Sequence, residues 1–471
     1  MHAETMAAPF ELIEPRLRPP LDEGFRPAVL ANGAFQGSLG GGGVRLVIGL
    51  SRGAHEHSRF ETRVFPPGHR RASANLYYVE RLIKFLLWQK GGHTVYVGGP
   101  PAIARHIQET YSSLGERRFD HQFMGEQVYE HPLQVIGCRP EEVPPASEAG
   151  RPLGRHLDGY RVGFDLGASD RKASAVADGQ VVYSEEVVWE PRLQADPEYH
   201  YREIMAALQT AAAHLPHLDA IGGSSAGIYI DNRPMVASLF RSVPPERQGQ
   251  IRRMFLRIRD EMGVPLEVIN DGDVTALAGA MAIQGNAILG IAMGSSQAAG
   301  YVSPEGHIMG WLNELAFAPI DYGPAAPVEE WSGDRGCGAS YFSQQCVFRL
   351  AARAGLALAD DQPDAIKLKL IQAELEAGHP GAHAIWESMG IYLGYGLAHY
   401  ADFYDIQHVL ILGRCTSGKG GEIILKSARA VLDLEFPELA NRFQIHLPDE
   451  KIRRIGQAVA AASLPSLGTR P

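Results

Sequence analysis

The sequence has little cysteine. In 471 residues it has only Cys138, Cys337, Cys346 and Cys415, and no two of these form a Cys-x-x-Cys pair. Widely spaced cysteines in such small number argue against a disulfide framework and are typical of a reducing compartment. The composition therefore predicts a cytoplasmic protein.

The chain also lacks an apolar run long enough to cross a membrane. The uncharged stretch 274–304 is interrupted by polar residues, Gln284 and Asn286 among them, before about 20 apolar residues accumulate. Residues 1–18 contain three glutamates where a signal peptide has a basic segment and an apolar core. We expect neither a membrane span nor a signal peptide.

An excess of basic charge is missing as well. The net charge is −10, and in residues 1–150 lysine and arginine are balanced by aspartate and glutamate. A nucleic-acid-binding head carries a basic surface, so we expect no nucleic acid and no membrane among the partners. A small anionic ligand would need a local positive site or a metal ion.

The chain is long enough for two or three domains, since 471 residues exceed what one hydrophobic core usually organises. The composition of Val44–Leu50 predicts a strand. Apolar residues at helical spacing from Leu76 to Leu87 predict a helix, which is followed by a second predicted strand at Thr94–Gly98. Residues 1–158 therefore predict an α/β module of unknown function that ends in the proline-rich linker 139–158.

The segment Gly163–Gly179 predicts a hairpin that bends at Gly167, Ala168 and Ser169 and ends at the turn dipeptide Asp178-Gly179. Backbone N–H groups at such a bend can bind an anion, and Asp165 at the strand end can hold Mg²⁺ through water. The alternative is an ordinary hairpin with a surface aspartate.

A second hairpin of the same kind is predicted over Ala287–Val302, with Gly294, Ser295 and Ser296 in its loop. Glycine allows a close backbone approach to a ligand, and the serines add hydroxyl groups. Two such hairpins about 130 residues apart suggest duplicated halves that face one phosphate chain.

Between the hairpins, Pro265–Ala280 reads as strand, turn and helix, with Asp273 as a candidate helix N-cap. Asp271 in the turn Asn270-Asp271-Gly272 is placed to accept a proton from a hydroxyl group. The alternative is a simple turn former, because Asn-Asp-Gly is good turn chemistry.

Three more features concern the remaining chain. Gln248–Met262 predicts an amphipathic helix with a basic, solvated face. Ala384–Tyr404 predicts a long helix, followed by a buried strand at 407–413. Gly413–Gly420 has P-loop spacing but ends in glycine where a magnesium-binding serine or threonine is needed, so it is not a P-loop.

Taken in order, these pieces resemble the ROK group of sugar kinases and repressors, in the superfamily that joins actin with the sugar kinases. The resemblance spans about residues 163–424. The matching segments are the first phosphate loop Asp165–Ser169, the loop beside the sugar Ile221–Asp231, the Asn270-Asp271 pair, the second phosphate loop Met293–Gly300, the sugar-binding Glu314 and the base-binding Leu410–Gly413.

The resemblance implies an α/β protein with the two-lobed actin-like ATPase (ribonuclease H-like) fold, added to the N-terminal module. It implies a first lobe at 159–283 and a second at 284–471 whose C-terminal helix returns toward the first. The implied activity is phosphorylation of a carbohydrate hydroxyl, with ATP and Mg²⁺ as cofactors and Asp271 as the general base. It also allows a homodimer.

The resemblance further assigns the ligand contacts. Asn270, Asp271, Glu314, Ala226 and Gly227 would bind the sugar, and Asp165 would hold Mg²⁺ through water. The phosphate and nucleotide contacts would be Gly167, Ala168, Ser169, Lys172, Gly294, Ser295, Ser296 and Gly413.

The sequence departs from the family pattern at several positions. Ala316-Phe317 replaces the Gly-His that follows the sugar-binding glutamate, and only Cys337 remains of a three-cysteine zinc motif, so no structural zinc is expected. Ala168 and Gln297 replace glycines of the phosphate loops.

The resemblance and these departures together leave three interpretations open. The first is an active sugar kinase, and the second is a catalytically weak or inactive sugar-binding regulator of the same group. The third is a metal-dependent hydrolase that uses Asp271, Asp273 and Glu314, although no histidine accompanies them at ligand spacing. The first 150 residues do not resemble the winged helix-turn-helix of the family's repressors.

Overall fold

The computed structural model describes residues 11–148, 153–359, 361–447 and 450–467. The chain is a mixed α/β protein, as predicted. For its three parts we use the boundaries proposed from the sequence: the N-terminal module to residue 158, the first lobe at 159–283 and the second lobe from 284. No helix among the described residues is both long and apolar enough to span a bilayer.

The N-terminal module contains a four-stranded sheet in the order β2-β1-β3-β4. Its elements are α1 Ala28–Ser38, β1 Val44–Gly53, β2 Glu56–Val64, α2 Ala74–Lys90, β3 Thr94–Gly98, α3 Pro101–Thr110, α4 Arg118–Gln122 and β4 Gln134–Cys138, with a π-helical turn at Phe123–Tyr129. Helix α2 ends because Gly91 adopts a φ of 79°, which favours glycine. This helix is buried along nearly its whole length.

The first lobe contains a five-stranded sheet in the order β11-β8-β5-β6-β7. Its elements are β5 Tyr160–Leu166, β6 Asp170–Ala177, β7 Gln180–Val188, α5 Pro197–Ala212, β8 Ala220–Ser225, β9 Ile228–Ile230, β10 Arg233–Val236, α6 Gln248–Arg252, α7 Met254–Met262, β11 Leu266–Asn270 and α8 Asp271–Ile283. Strands β5, β6 and β7 are antiparallel, whereas β8 and β11 run parallel to β5.

The second lobe contains a four-stranded sheet in the order β13-β12-β14-β15. Its elements are β12 Ile288–Met293, β13 Gln297–Val302, α9 Gln344–Ala351, α10 Asp364–Glu376, α11 Pro380–Tyr400, β14 His408–Leu412, α12 Lys419–Glu435, α13 Pro437–Arg442, β15 Gln444–His446 and α14 Glu450–Ala462. Strands β12 and β13 form an antiparallel hairpin, and β14 and β15 are parallel to β12.

Several local predictions are confirmed. Both phosphate-loop segments form hairpins, and the turn after β6 has positive φ at Asp178 (46°) and Gly179 (79°), as the type I′ geometry of an Asp-Gly hairpin requires. The segment 248–262 differs from the prediction. It is two helices, because the backbone leaves α-helical geometry at Arg253, with φ −100° and ψ 0°. The long helix predicted at 384–404 lies at 380–400.

The described residues form three hydrophobic cores, of which the smallest joins α8, β12, β14 and α14 where the two lobes meet. The first lobe has its own core between its sheet and helices α5 to α7. The N-terminal module and the second lobe share a single larger core, to which α2 contributes Phe85 and Trp88 and α11 contributes Trp386 and Tyr400. The module is therefore packed as part of the second lobe.

Helix α14, which belongs to the second lobe by sequence, lies against the first lobe and packs on α8, β5 and β8. Two buried glycines make this approach possible. A Cβ atom at Gly163 would lie 2.1 Å from the carbonyl oxygen of Ala458, and one at Gly222 would lie 1.6 Å from that of Ala461. Since no side chain fits at these distances, the glycines determine how closely the C-terminal helix seats on the first lobe.

Candidate functional site

The site begins where three parallel strands of the first lobe end. Asp165 on β5 lies opposite Ser224 on β8, and Asn270 on β11 lies opposite Ser225. The carboxyl ends of parallel strands meet at one edge of a sheet and commonly bind ligands there. The Ser224 hydroxyl donates a hydrogen bond of 2.6 Å to Oδ1 of Asp165 and so orients that carboxylate.

Asp271 is the first residue of α8. The helix is capped by Asn270, whose Oδ1 accepts from the Gly272 N–H at 2.7 Å, so the prediction of Asp273 as the N-cap is wrong. Asn270 is the better cap because it lies outside the helix with extended backbone, whereas Asp273 already has helical geometry. The Asn270 Nδ2 also donates to the carbonyl of Gly227 at 2.7 Å, which brings the 226–227 loop to the site.

Four carboxylates are close enough to influence one another. Burial, and after it the charge of Asp165, raises the pKa of Asp271 to about 6. Burial raises the pKa of Asp273 to about 7, with a smaller contribution from Asp271. The pKa of Glu314 rises to about 8 because of burial and the charges of Asp271 and Asp273. Such a group favours a bound cation or a hydrogen-bond donor.

Glu314 is positioned by the N-terminal module. Its backbone N–H donates to the carbonyl of Trp88 at 2.9 Å, and that of Asn313 donates to Gln89 at 2.9 Å, so the end of α2 holds this segment. Asn313 has a φ of 51°, uncommon for a residue other than glycine. Its side chain donates to Asp273 at 3.0 Å.

At the two hairpin tips the glycine N–H groups do not point freely to a phosphate. The N–H of Gly167 donates to the carbonyl of Asp170 at 2.9 Å, and that of Gly294 donates to Ser296 at 3.0 Å, so both act within their own turns. The other predicted tip residues, Ala168, Ser169, Ser295 and Ser296, are exposed. Anion contacts at these tips would therefore come from the exposed residues.

The remaining predicted nucleotide contacts lie beside these hairpins. Lys172 on β6 is opposite Asp165, and its positive charge lowers the pKa of Asp165, which burial raises by more. Its Nζ lies 3.5 Å from Oδ1 of Asp170. Gly413 follows β14 with a φ of 105°, and a Cβ there would lie 2.4 Å from the carbonyl of Met293. Only glycine allows this end of β14 to approach the second hairpin so closely.

The segment where the resemblance places histidine and zinc ligands is attached to the N-terminal module. Phe317 stacks on Trp88 of α2 with ring centroids 4.2 Å apart. Asp334 forms ion pairs with Arg81 at 3.0 Å and with Arg117 at 2.8 Å. Cys337 is buried, which raises its thiol pKa. Within the described ranges no group of three or more His, Cys, Asp or Glu could hold a metal ion, and the expected absence of zinc stays a prediction.

A cavity of about 420 Å³ lies beside Asp273, the one of these four carboxylates that lines it. Its inner end is lined by Asn270 and Asp273, which flank Asp271 in the chain, and its wall includes Trp311 of the second lobe. The opposite side is formed by the N-terminal module, at the β1–β2 turn Arg52–Glu56 and at Tyr129. All three parts of the chain therefore contribute to one cavity.

Sequence reasoning did not single out several of these residues. Ser224 lies near the end of β8 and could have been noticed as a polar residue at a strand end, as Asp165 was. Asn313 directly precedes Glu314, but nothing local marks its contact with Asp273. The turn 52–56 gave no signal, because its role depends on contacts with residues more than 150 positions away.

Similarity to known proteins is found among solved structures. No protein-family model and no curated protein matches the chain. A ROK hexokinase from Thermus thermophilus matches with a TM-score of 0.51 and 19% identity, over 64% of this chain and 97% of the other. This match confirms the predicted actin-like fold.

Two further solved structures are similar. A ROK family glucokinase from Streptomyces griseus, in complex with glucose and AMPPNP, has a TM-score of 0.47 at 22% identity and covers 64% of this chain and 99% of its own. A ROK family transcriptional regulator, a homologue of the E. coli MLC protein, has a TM-score of 0.48 at 17% identity and covers 78% of this chain and 89% of its own.

Proposed function

We propose that the chain is an ATP-dependent carbohydrate kinase of the ROK family, with Asp271 as the general base. The observation that carries the proposal is the position of Asp271, at the start of a capped helix and within reach of the charges of Asp165 and Glu314. The shared fold with a ROK hexokinase supports it.

The environment of Asp271 suits proton abstraction from a hydroxyl group. General bases work best when their pKa lies near the operating pH, and burial together with Asp165 raises the pKa of this carboxyl to about 6. It is then mostly ionised at neutral pH and more basic than an exposed aspartate. The Asn270 cap and the Gly272 N–H, which donates to Asp271 Oδ1 at 3.0 Å, hold the carboxylate in place.

The acceptor sugar would be bound by Asn270, Asp271, Glu314 and the loop at Ala226 and Gly227. Glu314 has a pKa of about 8, so near neutral pH its protonated carboxyl can donate as well as accept hydrogen bonds with sugar hydroxyls. This residue positions the substrate and leaves proton abstraction to Asp271.

The proposal includes Mg²⁺ and a nucleotide. Asp165 supplies a half-buried carboxylate whose pKa is raised by burial, and oxygen donors of this kind suit Mg²⁺ held through water. Magnesium-bound ATP would supply the phosphoryl group and neutralise its charge. Lys172 and the exposed residues of the two hairpin tips would hold the phosphates, and Gly413 the region of the base.

A direct assay tests the proposal. The protein is incubated with ATP, Mg²⁺ and a panel of hexoses and neutral disaccharides, and ADP release and the phosphorylated sugar are measured. We expect sugar-dependent ADP formation that disappears without Mg²⁺. The proposal fails if no sugar raises ADP release above the rate without sugar.

A second candidate function is a sugar-binding regulator with little or no turnover. It is favoured by the second hairpin, where Gln297 takes the place of a glycine and its buried side chain lies against Gly338 and Tyr400. The N–H groups of Gly167 and Gly294 also favour a regulator, because they already donate hydrogen bonds within their own turns. Sugar binding by calorimetry without any turnover would favour this function over the kinase.

A further inference from the structure

The cavity of about 420 Å³ extends from Asn270 and Asp273 along strand β11, at the edge of the first-lobe sheet. The backbone of this edge is partly covered by Asn232, which donates to the Leu266 carbonyl at 3.0 Å and accepts from the Val268 N–H at 2.6 Å. Facing this edge is the turn Arg52–Glu56 of the N-terminal module. The cavity therefore has an inner end near Asp271 and an outer end walled by the module.

The turn 52–56, which forms the outer wall of the cavity, is fixed by hydrogen bonds and ion pairs. Arg52 donates to the Ser58 hydroxyl at 2.7 Å and lies 3.7 Å from the carboxylate of Glu56. Across the gap, Glu130 forms ion pairs with Arg233, at 2.6 Å, and with Arg252, both in the first lobe. A wall that is pre-organised in this way can select a ligand by shape, because little ordering is needed on binding.

The size of the cavity exceeds what one hexose ring needs. Its volume lies in the range of about 300–1,000 Å³ typical of pockets that bind drug-sized ligands. The aromatic side chains Tyr129, Tyr229 and Trp311 line it, and they offer apolar surface beside polar groups. This combination suits a molecule with both C–H faces and hydroxyl groups.

The charge of the lining selects against anions. It includes the carboxylates Glu56, Asp231 and Glu267, and Asp273, whose pKa burial raises to about 7, beside Arg52 and His55. An anionic sugar, such as a sugar phosphate or a uronic acid, would be repelled by this excess of negative charge. Neutral hydroxyl groups, in contrast, can donate hydrogen bonds to carboxylates.

We propose that the N-terminal module forms an outer subsite of the acceptor site, and that the acceptor is a neutral carbohydrate of two linked rings. The inner ring presents its hydroxyl to Asp271, and the outer ring lies between β11 and the turn 52–56. This assignment rests on the proposed function, because it takes the cavity as the place where the phosphorylated sugar binds.

The test measures binding first, without nucleotide. Calorimetry with cellobiose, maltose and lactose is compared with glucose and galactose, and with glucuronic acid and glucose 6-phosphate. At least one disaccharide is expected to bind about tenfold or more tighter than its component hexoses, a difference of about 1.4 kcal/mol. The two anionic sugars are expected to bind more weakly than glucose.

A variant then locates the outer ring. Ala54 is exposed at the tip of the turn and lines the cavity, so Ala54→Trp should fill the outer end, and Ala54→Ser is the matched control. The tryptophan variant is expected to lose the disaccharide's tenfold advantage while hexose binding changes little, and the serine variant should behave like the wild type.

The outcomes separate this inference from the proposed function. Disaccharide binding that follows this pattern without any ADP release would support the outer subsite and refute the kinase. Phosphorylation of a hexose, with disaccharides no better and Ala54→Trp without effect, would overturn the outer subsite and keep the kinase. The outer subsite would also be overturned by three other results. These are an equal loss of affinity for hexose and disaccharide in Ala54→Trp, tighter binding of the anionic sugars than of glucose, and no carbohydrate binding at all.

Discussion

The two lobes have the same strand order except for one strand. In the first lobe the hairpin β5–β6 is extended by a third antiparallel strand, β7. In the second lobe the hairpin β12–β13 has no such third strand among the described residues. After β13 the chain makes isolated bridges, the first of them between Val302 and Ile308, and runs without regular strands or α-helices to Ser343.

The N-terminal module supports the second lobe at this point. The end of α2 accepts the backbone N–H groups of Asn313 and Glu314, and its Arg81 binds Asp334. The first lobe positions Asp165 and Asp271 with its own strands and core, whereas Glu314 in the second lobe depends on the module. A site residue on an irregular segment thus needs a support from elsewhere in the chain, because no ladder of backbone hydrogen bonds holds it.

The largest effect is expected from Asp271→Asn, which tests the chemistry assigned to the first lobe. Asparagine keeps the size but cannot take the hydroxyl proton, so kcat should fall by about 10²–10⁴-fold. Turnover of the best sugar and thermal melting are measured together, with the exposed Asp260→Asn as control. Unchanged turnover in Asp271→Asn would remove this residue from catalysis.

The next effect concerns the module and the second lobe. Arg81→Met leaves the buried Glu80 and Asp334 with Arg117 as their remaining arginine partner, which should cost about 3–5 kcal/mol of the free energy of unfolding. The control Arg257→Met removes exposed ion pairs of the first lobe, worth about 0–1 kcal/mol each. Urea unfolding measures the free energy of unfolding of both variants. Equal losses of this free energy in Arg81→Met and Arg257→Met would contradict the unequal roles of the two regions.

A smaller effect is expected at the contact between α14 and the first lobe. Gly222→Ala places a Cβ where only 1.6 Å separates it from the Ala461 carbonyl, so α14 must shift, at a cost of about 1–3 kcal/mol. The control Gly249→Ala lies in α6 with nothing within 4 Å, and should stabilise slightly, by about 0.5–1 kcal/mol. A Gly222→Ala protein as stable as the wild type would show that this packing is not needed.

A weaker effect concerns pH. The pKa of Asp271 is raised to about 6 in the folded protein, so the folded state binds its proton more tightly than the unfolded state, and this contribution to stability is lost as pH rises toward and through about 6. Between about pH 5 and 7 the melting temperature of the sugar-free protein should therefore fall more for wild type than for Asp271→Asn.

Activity should depend on pH in the opposite direction. Because the base must be ionised, kcat/KM should fall as pH drops below about 6. Parallel melting curves for the two proteins across this range, together with a flat rate profile, would contradict the raised pKa.

A zinc chelator is expected to have no effect on stability, because no structural zinc is expected. The segment around Cys337 is held by ion pairs and aromatic contacts with the module, so a strong chelator should leave the melting temperature unchanged, and elemental analysis should find no stoichiometric zinc. About one zinc ion per chain would show that a metal supports the second lobe after all.

The sequence by itself determined the local parts of this protein. The two hairpins, the Asp178-Gly179 turn and the strand that turns into α8 at Asn270-Asp271-Gly272 were all predictable, because turn geometry depends on neighbouring residues. Even here Asp273 was misassigned, since its hydrogen bonds to Tyr301 and Asn313 come from distant segments. The order of the motifs was enough to predict the actin-like fold.

The tertiary structure alone decided how these parts form a site. It brought Asp165, Asp271, Asp273 and Glu314 together and raised the pKa values of their carboxyl groups, an effect of burial and of charges far apart in the chain. It also joined the N-terminal module to the second lobe through Trp88 and Phe317. Trp88 and Phe317 are more than 200 positions apart, and no local pattern of spacing or composition records such contacts, because they arise only when separate elements pack on one core.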